Sequence, residues 1–199
     1  LLNWVDKIPR KLAKSRSLLG RRKCGKTAIM QRLFNILWNR NSEVVPFYFE
    51  VHDQNAWLLH FSDDYIRTFL SQYLSFLTRT PIAQNNEPWS WRILEPMAKE
   101  VGNENIIRRI EDFRNYLEKE NEHQAMNLAF GSPSWFSGYD KRFFLVMIDE
   151  IQYMTEYVYH DKAHTVQAVN LPGAFHGFVE LKSAPMLVSG SYVGWMTRM

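Results

Sequence analysis

The sequence contains little cysteine and no long apolar run, and both absences limit what the protein can be. Its 199 residues include one cysteine, Cys24, so neither an internal disulfide nor a cysteine-based zinc site is expected. We therefore expect a reducing, cytoplasmic compartment. No stretch approaches the roughly 18 consecutive apolar residues of a membrane helix, and no charged-then-apolar leader opens the chain. We accordingly expect neither a membrane span nor secretion.

The net charge of +3 conceals a short and strongly basic segment. Residues 7–32 contain ten Lys or Arg and no acid, whereas the rest of the chain has fourteen basic and 21 acidic residues. Such an asymmetry is typical of a surface that meets an anion. Charge alone is equally consistent with a solvated basic surface. The motif inside the segment favours a phosphate-binding site.

Residues 20–27 read Gly-Arg-Arg-Lys-Cys-Gly-Lys-Thr, which matches the phosphate-loop (Walker A) pattern G-x-x-x-x-G-K-[ST] in full. Glycines allow consecutive backbone N–H groups to converge on a phosphate oxygen. Lys26 is expected to contact the β- and γ-phosphates, and the Thr27 hydroxyl to bind Mg²⁺. The helix after the loop directs its N-terminal dipole at the anion. The predicted nucleotide-binding residues are Gly20, Arg21, Arg22, Lys23, Cys24, Gly25, Lys26, Thr27 and Ala28.

Two acidic residues, Asp149 and Glu150, come directly after the apolar run 143–148. At the carboxyl end of a parallel strand they lie where open α/β sheets bind ligands. Asp149 is therefore predicted to hold Mg²⁺ together with Thr27, and Glu150 to act as the general base that polarises the attacking water. A strand ending in a polar turn has the same pattern, but the phosphate loop upstream favours the catalytic interpretation.

Strand-like and helix-like segments alternate along the chain, which predicts an α/β fold with a mostly parallel central sheet. Apolar and β-branched runs predict strands at 14–19, 44–51, 143–148 and 185–189. Apolar spacing predicts helices at 27–39, 62–78, 104–120 and 173–182, with another helical stretch in 151–159. Residues 131–138 are rich in Gly, Ser and Pro and are predicted to form a turn-rich connection.

Three segments together, GRRKCGKT, FFLVMIDEIQYM and PMLVSGSYVGWM, resemble the archaeal-type ATPases of the STAND branch of the AAA+-like P-loop NTPases. The resemblance spans most of residues 14–199 and implies a three-layer, ASCE-type P-loop NTPase fold with a helical insertion at about 52–140. In that sheet the strand ending at Ser189 lies between the phosphate-loop strand and the strand ending at Asp149. The resemblance also gives Ser191 the sensor position beside the γ-phosphate, with Ser189 as the alternative.

In the family that the three segments resemble, further functional elements come after the Gly-Ser pair. They are a helical lid, an arginine finger and a second sensor, so we expect the C-terminal lid to lie outside this chain. Arg198 is the only late arginine, and it stands too early to take the role of the finger.

These patterns predict an Mg²⁺-dependent ATPase, a hydrolase, with residues 1–13 as a basic N-terminal arm or helix and 14–199 as the core. ATP is favoured over GTP because the chain has no N/T-K-x-D segment to read guanine. One function is a nucleotide-controlled switch or assembly domain of a larger protein, with a protein partner or self-association. The alternative is a DNA-acting motor or loader that uses the basic segment. A small-molecule kinase is disfavoured by Glu150, because a second carboxylate favours hydrolysis.

Overall fold

The fold is built on parallel strands, seen in a computed structural model that describes residues 1–82 and 88–191. Four strands form the main sheet and two short ones form a separate pair within this described part. In chain order the strands are β1 (Arg16–Leu19), β2 (Val44–Glu50), β3 (Ala56–Trp57), β4 (Phe143–Asp149), β5 (Val158–Tyr159) and β6 (Met186–Gly190). The main sheet contains β1, β6, β4 and β2, and the small sheet pairs β3 with β5.

The order of the main sheet is β1-β6-β4-β2, and every pair in it is parallel. The strand that contains Ser189 therefore lies between the phosphate-loop strand and the strand that ends at Asp149, which confirms the order implied by the resemblance. Since all four strands run in one direction, their carboxyl ends meet at one edge of the sheet. Glu50 pairs with Asp149 in the register of β2 and β4 at that edge.

Helices cover both faces of the main sheet. In chain order the helices of the described part are α1 (Leu2–Val5), α2 (Lys26–Arg40), α3 (Leu58–Thr78), α4 (Trp91–Val101), α5 (Glu104–Glu118), α6 (Glu122–Tyr139), α7 (Tyr153–Tyr157) and α8 (Leu171–Val179). Four of them, α3 to α6, lie between β2 and β4 in the chain. No helix among the described residues has the length and apolar character needed to cross a membrane.

Successive residues of β4 contribute to two different cores, as expected for a strand covered on both faces. Leu145 and Met147 pack in one apolar cluster with α2 and with the N-terminal segment. Phe144, Val146 and Ile148 pack in a second and larger cluster with α3 and α6. The protein is thus a three-layer α/β fold with a parallel central sheet, as predicted. Burial on both faces also explains why β4 is a continuous apolar run in the sequence.

The prediction of a turn-rich connection at 131–138 is wrong, because α6 continues through it to Tyr139. Pro133 stands inside the helix, where it removes one backbone donor. Packing against α3 outweighs that local cost: the Phe130 ring lies 4.9 Å from Tyr65, and the Phe136 ring lies 5.3 Å from Tyr73. The local preference of Gly, Ser and Pro for turns is a weak guide where a helix can make aromatic contacts of this kind.

The other predicted elements are confirmed apart from shifts at their ends. The predicted helix 62–78 begins four residues earlier, at Leu58, and the predicted helix 104–120 ends at Glu118. The Asn103 side chain caps that second helix by accepting from two backbone N–H groups. The stretch 151–159 is helical only from Tyr153 to Tyr157, and then it enters β5.

The N-terminal segment is anchored to the sheet layer by its apolar residues. Trp4, Val5, Ile8 and Ala13 are buried in the same cluster as Met30 of α2. The basic side chains of this segment stay exposed; they are Lys7, Arg10, Lys11 and Lys14. The segment therefore presents its cations on a packed backbone.

Two tyrosines of α3, Tyr65 and Tyr73, provide a matched test of the larger core. Both are buried, but the Tyr73 hydroxyl donates to Asp140 at 2.6 Å, whereas that of Tyr65 has no hydrogen-bond partner among the described residues. A buried hydroxyl without a partner costs free energy, and a paired one stabilises. We expect Tyr65→Phe to raise the free energy of unfolding by about 1 kcal/mol and Tyr73→Phe to lower it by a similar amount. Urea unfolding followed by circular dichroism measures both, and a loss of stability in Tyr65→Phe would contradict the packing described.

Candidate nucleotide site

The predicted phosphate loop connects β1 to α2 at the carboxyl edge of the sheet. Residues 21–25 are exposed, and two of them, Lys23 and Gly25, have left-handed backbones with φ of 63° and 86°. Gly20 lies against the loop's own tip, since a Cβ there would stand 2.7 Å from the Cys24 sulfur. The loop thus curves tightly before α2, as a backbone that surrounds a phosphate must.

The Lys26 ammonium lies inside this curve although the rest of the loop is exposed. Its Nζ donates to the carbonyl oxygens of Gly20 at 3.1 Å and Arg21 at 3.2 Å, and the residue is only 7% exposed. The same Nζ lies 3.9 Å from the Oε1 of Glu150, which comes directly after β4. The positive charge is therefore held between the loop and the acidic pair. Next to it, Thr27 is half-buried in the first turn of α2, and Ala28 is exposed.

Asp149 is buried at the end of β4, and its carboxylate is held from two sides. One oxygen accepts from the Ser189 hydroxyl and from the backbone N–H of Glu150, and the other accepts from the Tyr48 hydroxyl at 3.1 Å. Burial, reinforced by the charges of Asp149 and Glu50, raises the pKa of Tyr48 far above its usual range. Tyr48 therefore remains a proton donor to Asp149 at any ordinary pH.

Glu150 stands at the start of the segment after β4, with a left-handed φ of 52°. Its Oε1 faces Lys26, and its Oε2 accepts from the Gln152 amide at 2.5 Å and from the Ser191 hydroxyl at 3.1 Å. The carboxylate thus stands between the loop lysine on one side and two neutral donors on the other. A carboxylate placed at the phosphate-loop edge suits general-base chemistry.

A second contact joins the loop to the segment after β4. The guanidinium of Arg22 donates to the Tyr153 hydroxyl at 2.5 Å. Burial raises the pKa of Tyr153, which keeps its phenol protonated although Arg22 acts in the opposite direction. With the approach of Lys26 to Glu150, this bond gives the loop two side-chain contacts to residues 150–153.

The oxygen groups near the loop fit Mg²⁺, the metal that the resemblance implies. A hydroxyl from Thr27 and a carboxylate from Asp149 are hard oxygen donors of the kind that this ion prefers. Asp149 already accepts three hydrogen bonds, which leaves about one of its roughly four lone-pair positions free. One free position suits a single contact to the ion or to one of its waters.

The structure brings the predicted catalytic residues Glu150 and Ser191 together. Each of the two serines contacts a different acid. Ser191 contacts Glu150, whereas Ser189 contacts Asp149. Arg198 lies outside the described residues.

Sequence reasoning missed three residues of this site: Tyr48, Gln152 and Tyr153. The last two stand in the quoted DEIQYM run, where their roles are not readable. A phenol between Phe47 and Phe49 of β2 was the available signal for Tyr48.

Comparisons with known proteins add little to this geometry. No protein-family profile matches the chain, and no curated protein matches it by sequence. Among solved structures the chain is similar to the ORC2 protein of Aeropyrum pernix in its ADP form, at 13% sequence identity and a TM-score of 0.43. The match covers 100% of this chain and 41% of the archaeal one, so the chain spans about two fifths of that protein's length. At this level of likeness, the site rests on the chain's own residues.

Proposed function

We propose that the chain is an Mg²⁺-dependent ATP-binding and hydrolysing module of the AAA+-like type. One observation carries the proposal: the Lys26 ammonium lies inside a phosphate-loop curve and 3.9 Å from Glu150, which is the residue after Asp149 at the end of β4. A phosphate-binding loop and a tandem acid therefore meet at one edge of a parallel sheet. That is the arrangement phosphoryl chemistry on a nucleotide requires, because it needs cationic groups for the phosphates and a group that accepts a proton from water.

Each of these side chains has a chemical role in the proposed site. Lys26 and the exposed loop N–H groups neutralise the β- and γ-phosphates, and Thr27 and Asp149 hold the ion. When bound, Mg²⁺ supplies a positive charge that stabilises the charge developing on the phosphate oxygens. Glu150 takes a proton from the attacking water while the water oxygen bonds to the γ-phosphorus. At the same time the bond between the γ-phosphorus and the oxygen that leaves with ADP breaks. Ser191 helps to position the water beside the γ-phosphate.

The nucleotide-controlled switch of the STAND type is the function that we favour for this module. The resemblance in three segments supports it, and so do the contacts of Arg22 with Tyr153 and of Lys26 with Glu150. These contacts join the loop to the segment that leads into α7. A change at the loop therefore has a physical route to another surface of the protein, where a partner or a second copy is contacted.

Removal of the loop lysine tests the binding site. We expect Lys26→Ala to lower the affinity for ATP by at least about tenfold, because it removes charge-assisted bonds to the phosphates. Titration calorimetry with ATP and GTP measures this loss, and the parent is expected to prefer ATP. Lys119→Ala removes an exposed lysine far from the loop in the sequence and serves as the control. Equal ATP affinity in Lys26→Ala and the parent would refute the site.

The two acids are expected to differ when each loses its charge. Glu150→Gln should still bind ATP while turnover falls by about two orders of magnitude, the usual scale for loss of a general base. Asp149→Asn should instead weaken the Mg²⁺-dependent part of ATP binding. Steady-state phosphate release and calorimetry with and without Mg²⁺ separate the two effects. A Glu150→Gln protein with the parental rate would show that another group activates water.

A DNA-acting motor or loader is the second candidate function, and the N-terminal surface favours it. Lys7, Arg10, Lys11 and Lys14 are exposed on a segment whose Trp4 and Ile8 are buried. Cations held on a packed backbone lose less conformational freedom on meeting a phosphate backbone than cations on a free arm.

Duplex DNA added to the ATPase assay distinguishes the two functions. A DNA-acting protein should turn over ATP faster with DNA, and Lys7→Ala/Lys11→Ala should reduce both the stimulation and the salt dependence of binding. A switch should show the same turnover with and without DNA. An unstimulated rate would therefore remove the second candidate.

A further inference from the structure

A buried amide, Gln152, joins the proposed general base to the proposed sensor serine. Gln152 is 2% exposed and lies between β4 and α7. Its Nε2 is 2.5 Å from Glu150 Oε2 and 3.2 Å from Ser191 Oγ, while the Ser191 hydroxyl donates to that same carboxylate oxygen at 3.1 Å. The three side chains therefore form a closed triangle of hydrogen bonds.

An amide at position 152 satisfies the hydrogen-bonding needs of the triangle. The Glu150 carboxylate only accepts hydrogen bonds, and the single Ser191 proton is already given to it. A third group must then donate twice, once to each partner, which an amide NH₂ does and a hydroxyl or carboxylate does not. The opposite orientation of Gln152 would place its carbonyl oxygen against the carboxylate. Its Oε1 is instead buried without a partner among the described residues.

The restraint matters because Glu150 is otherwise weakly held. Its backbone has φ of 52°, a conformation that few non-glycine residues adopt, and its side chain is 19% exposed. A free glutamate side chain samples several rotamers, and holding it in one of them costs conformational entropy. With Oε2 fixed by Gln152 and Ser191, the other oxygen is left facing Lys26 at 3.9 Å.

We propose that Gln152 is a positioning residue for ATP hydrolysis, which acts by holding the Glu150 carboxylate with Oε1 toward the phosphate loop. The inference rests on the proposed function, since it assigns Gln152 a part in the reaction attributed to Glu150. Gln152 touches neither water nor phosphate in this role. Its loss therefore lowers the rate of the chemical step and leaves the binding of ATP unchanged.

Gln152→Met is the variant that tests this role. Methionine is unbranched and of similar length, so it removes both donors while it fills the buried space. We expect kcat to fall at least about tenfold with ATP affinity within about twofold of the parent, the pattern of an interaction made for the transition state. Gln167→Met makes the same change at an exposed glutamine and should keep the parental rate. Should Gln152→Met fail to bind ATP, Gln152→Asn keeps an amide that is one methylene too short to reach both partners and supplies the test, with the same expected loss of kcat.

A double-mutant cycle separates positioning from a merely structural role. In the Glu150→Gln background, Gln152→Met should cause no further loss of turnover, because the base it positions is already gone. A fall by the same factor in both backgrounds, or a Gln152→Met rate equal to the parental one, overturns the inference while the proposed function stands. A parent that binds ATP without hydrolysing it overturns both the inference and the proposed hydrolysis.

Discussion

Parallel pairing of β6 with β1 on one side and β4 on the other is the constraint on which the site depends. Strands that run in one direction end at one edge, so the phosphate loop after β1 and the acids at the end of β4 lie at the same edge of the sheet. β6 separates them by one strand, and its end carries Ser189 and Ser191 into the gap. Each serine then contacts one of the two acids.

The side chains at this edge form one connected network. Lys26 approaches Glu150, Glu150 bonds to Gln152 and Ser191, and Asp149 is held by Ser189 and Tyr48. Arg22 adds a second link from the loop, to Tyr153. An anion that attracts Lys26 or Arg22 would change the contact of Lys26 with Glu150 or of Arg22 with Tyr153. The position of the loop and the orientation of the proposed base are therefore coupled through contacts of a few ångströms.

The elements that the sequence identified best are those whose local pattern agrees with their tertiary surroundings. β4 is apolar throughout because both faces of the sheet are covered, and α5 has a capping asparagine before a clear apolar face. Residues 131–138 misled because Gly, Ser and Pro favour turns locally, whereas Phe130 and Phe136 gain more by packing on α3 within a continuous helix. The edge of β2 was equally unreadable: the Gln72 amide from α3 bonds both the N–H and the carbonyl of Tyr48.

The sequence by itself determined the chemical components of the candidate site, because the phosphate loop and the Asp-Glu pair are contiguous patterns whose spacing is set by a single turn or strand end. It also determined the alternation of strands and helices, through apolar periodicity. Only the tertiary structure decided which side chains hold those components. Tyr48 lies 101 residues from Asp149 and Ser191 lies 41 residues from Glu150, and both reach these acids through the register of β2, β4 and β6. Contacts of that kind leave no periodic signal, because each depends on where a distant strand ends.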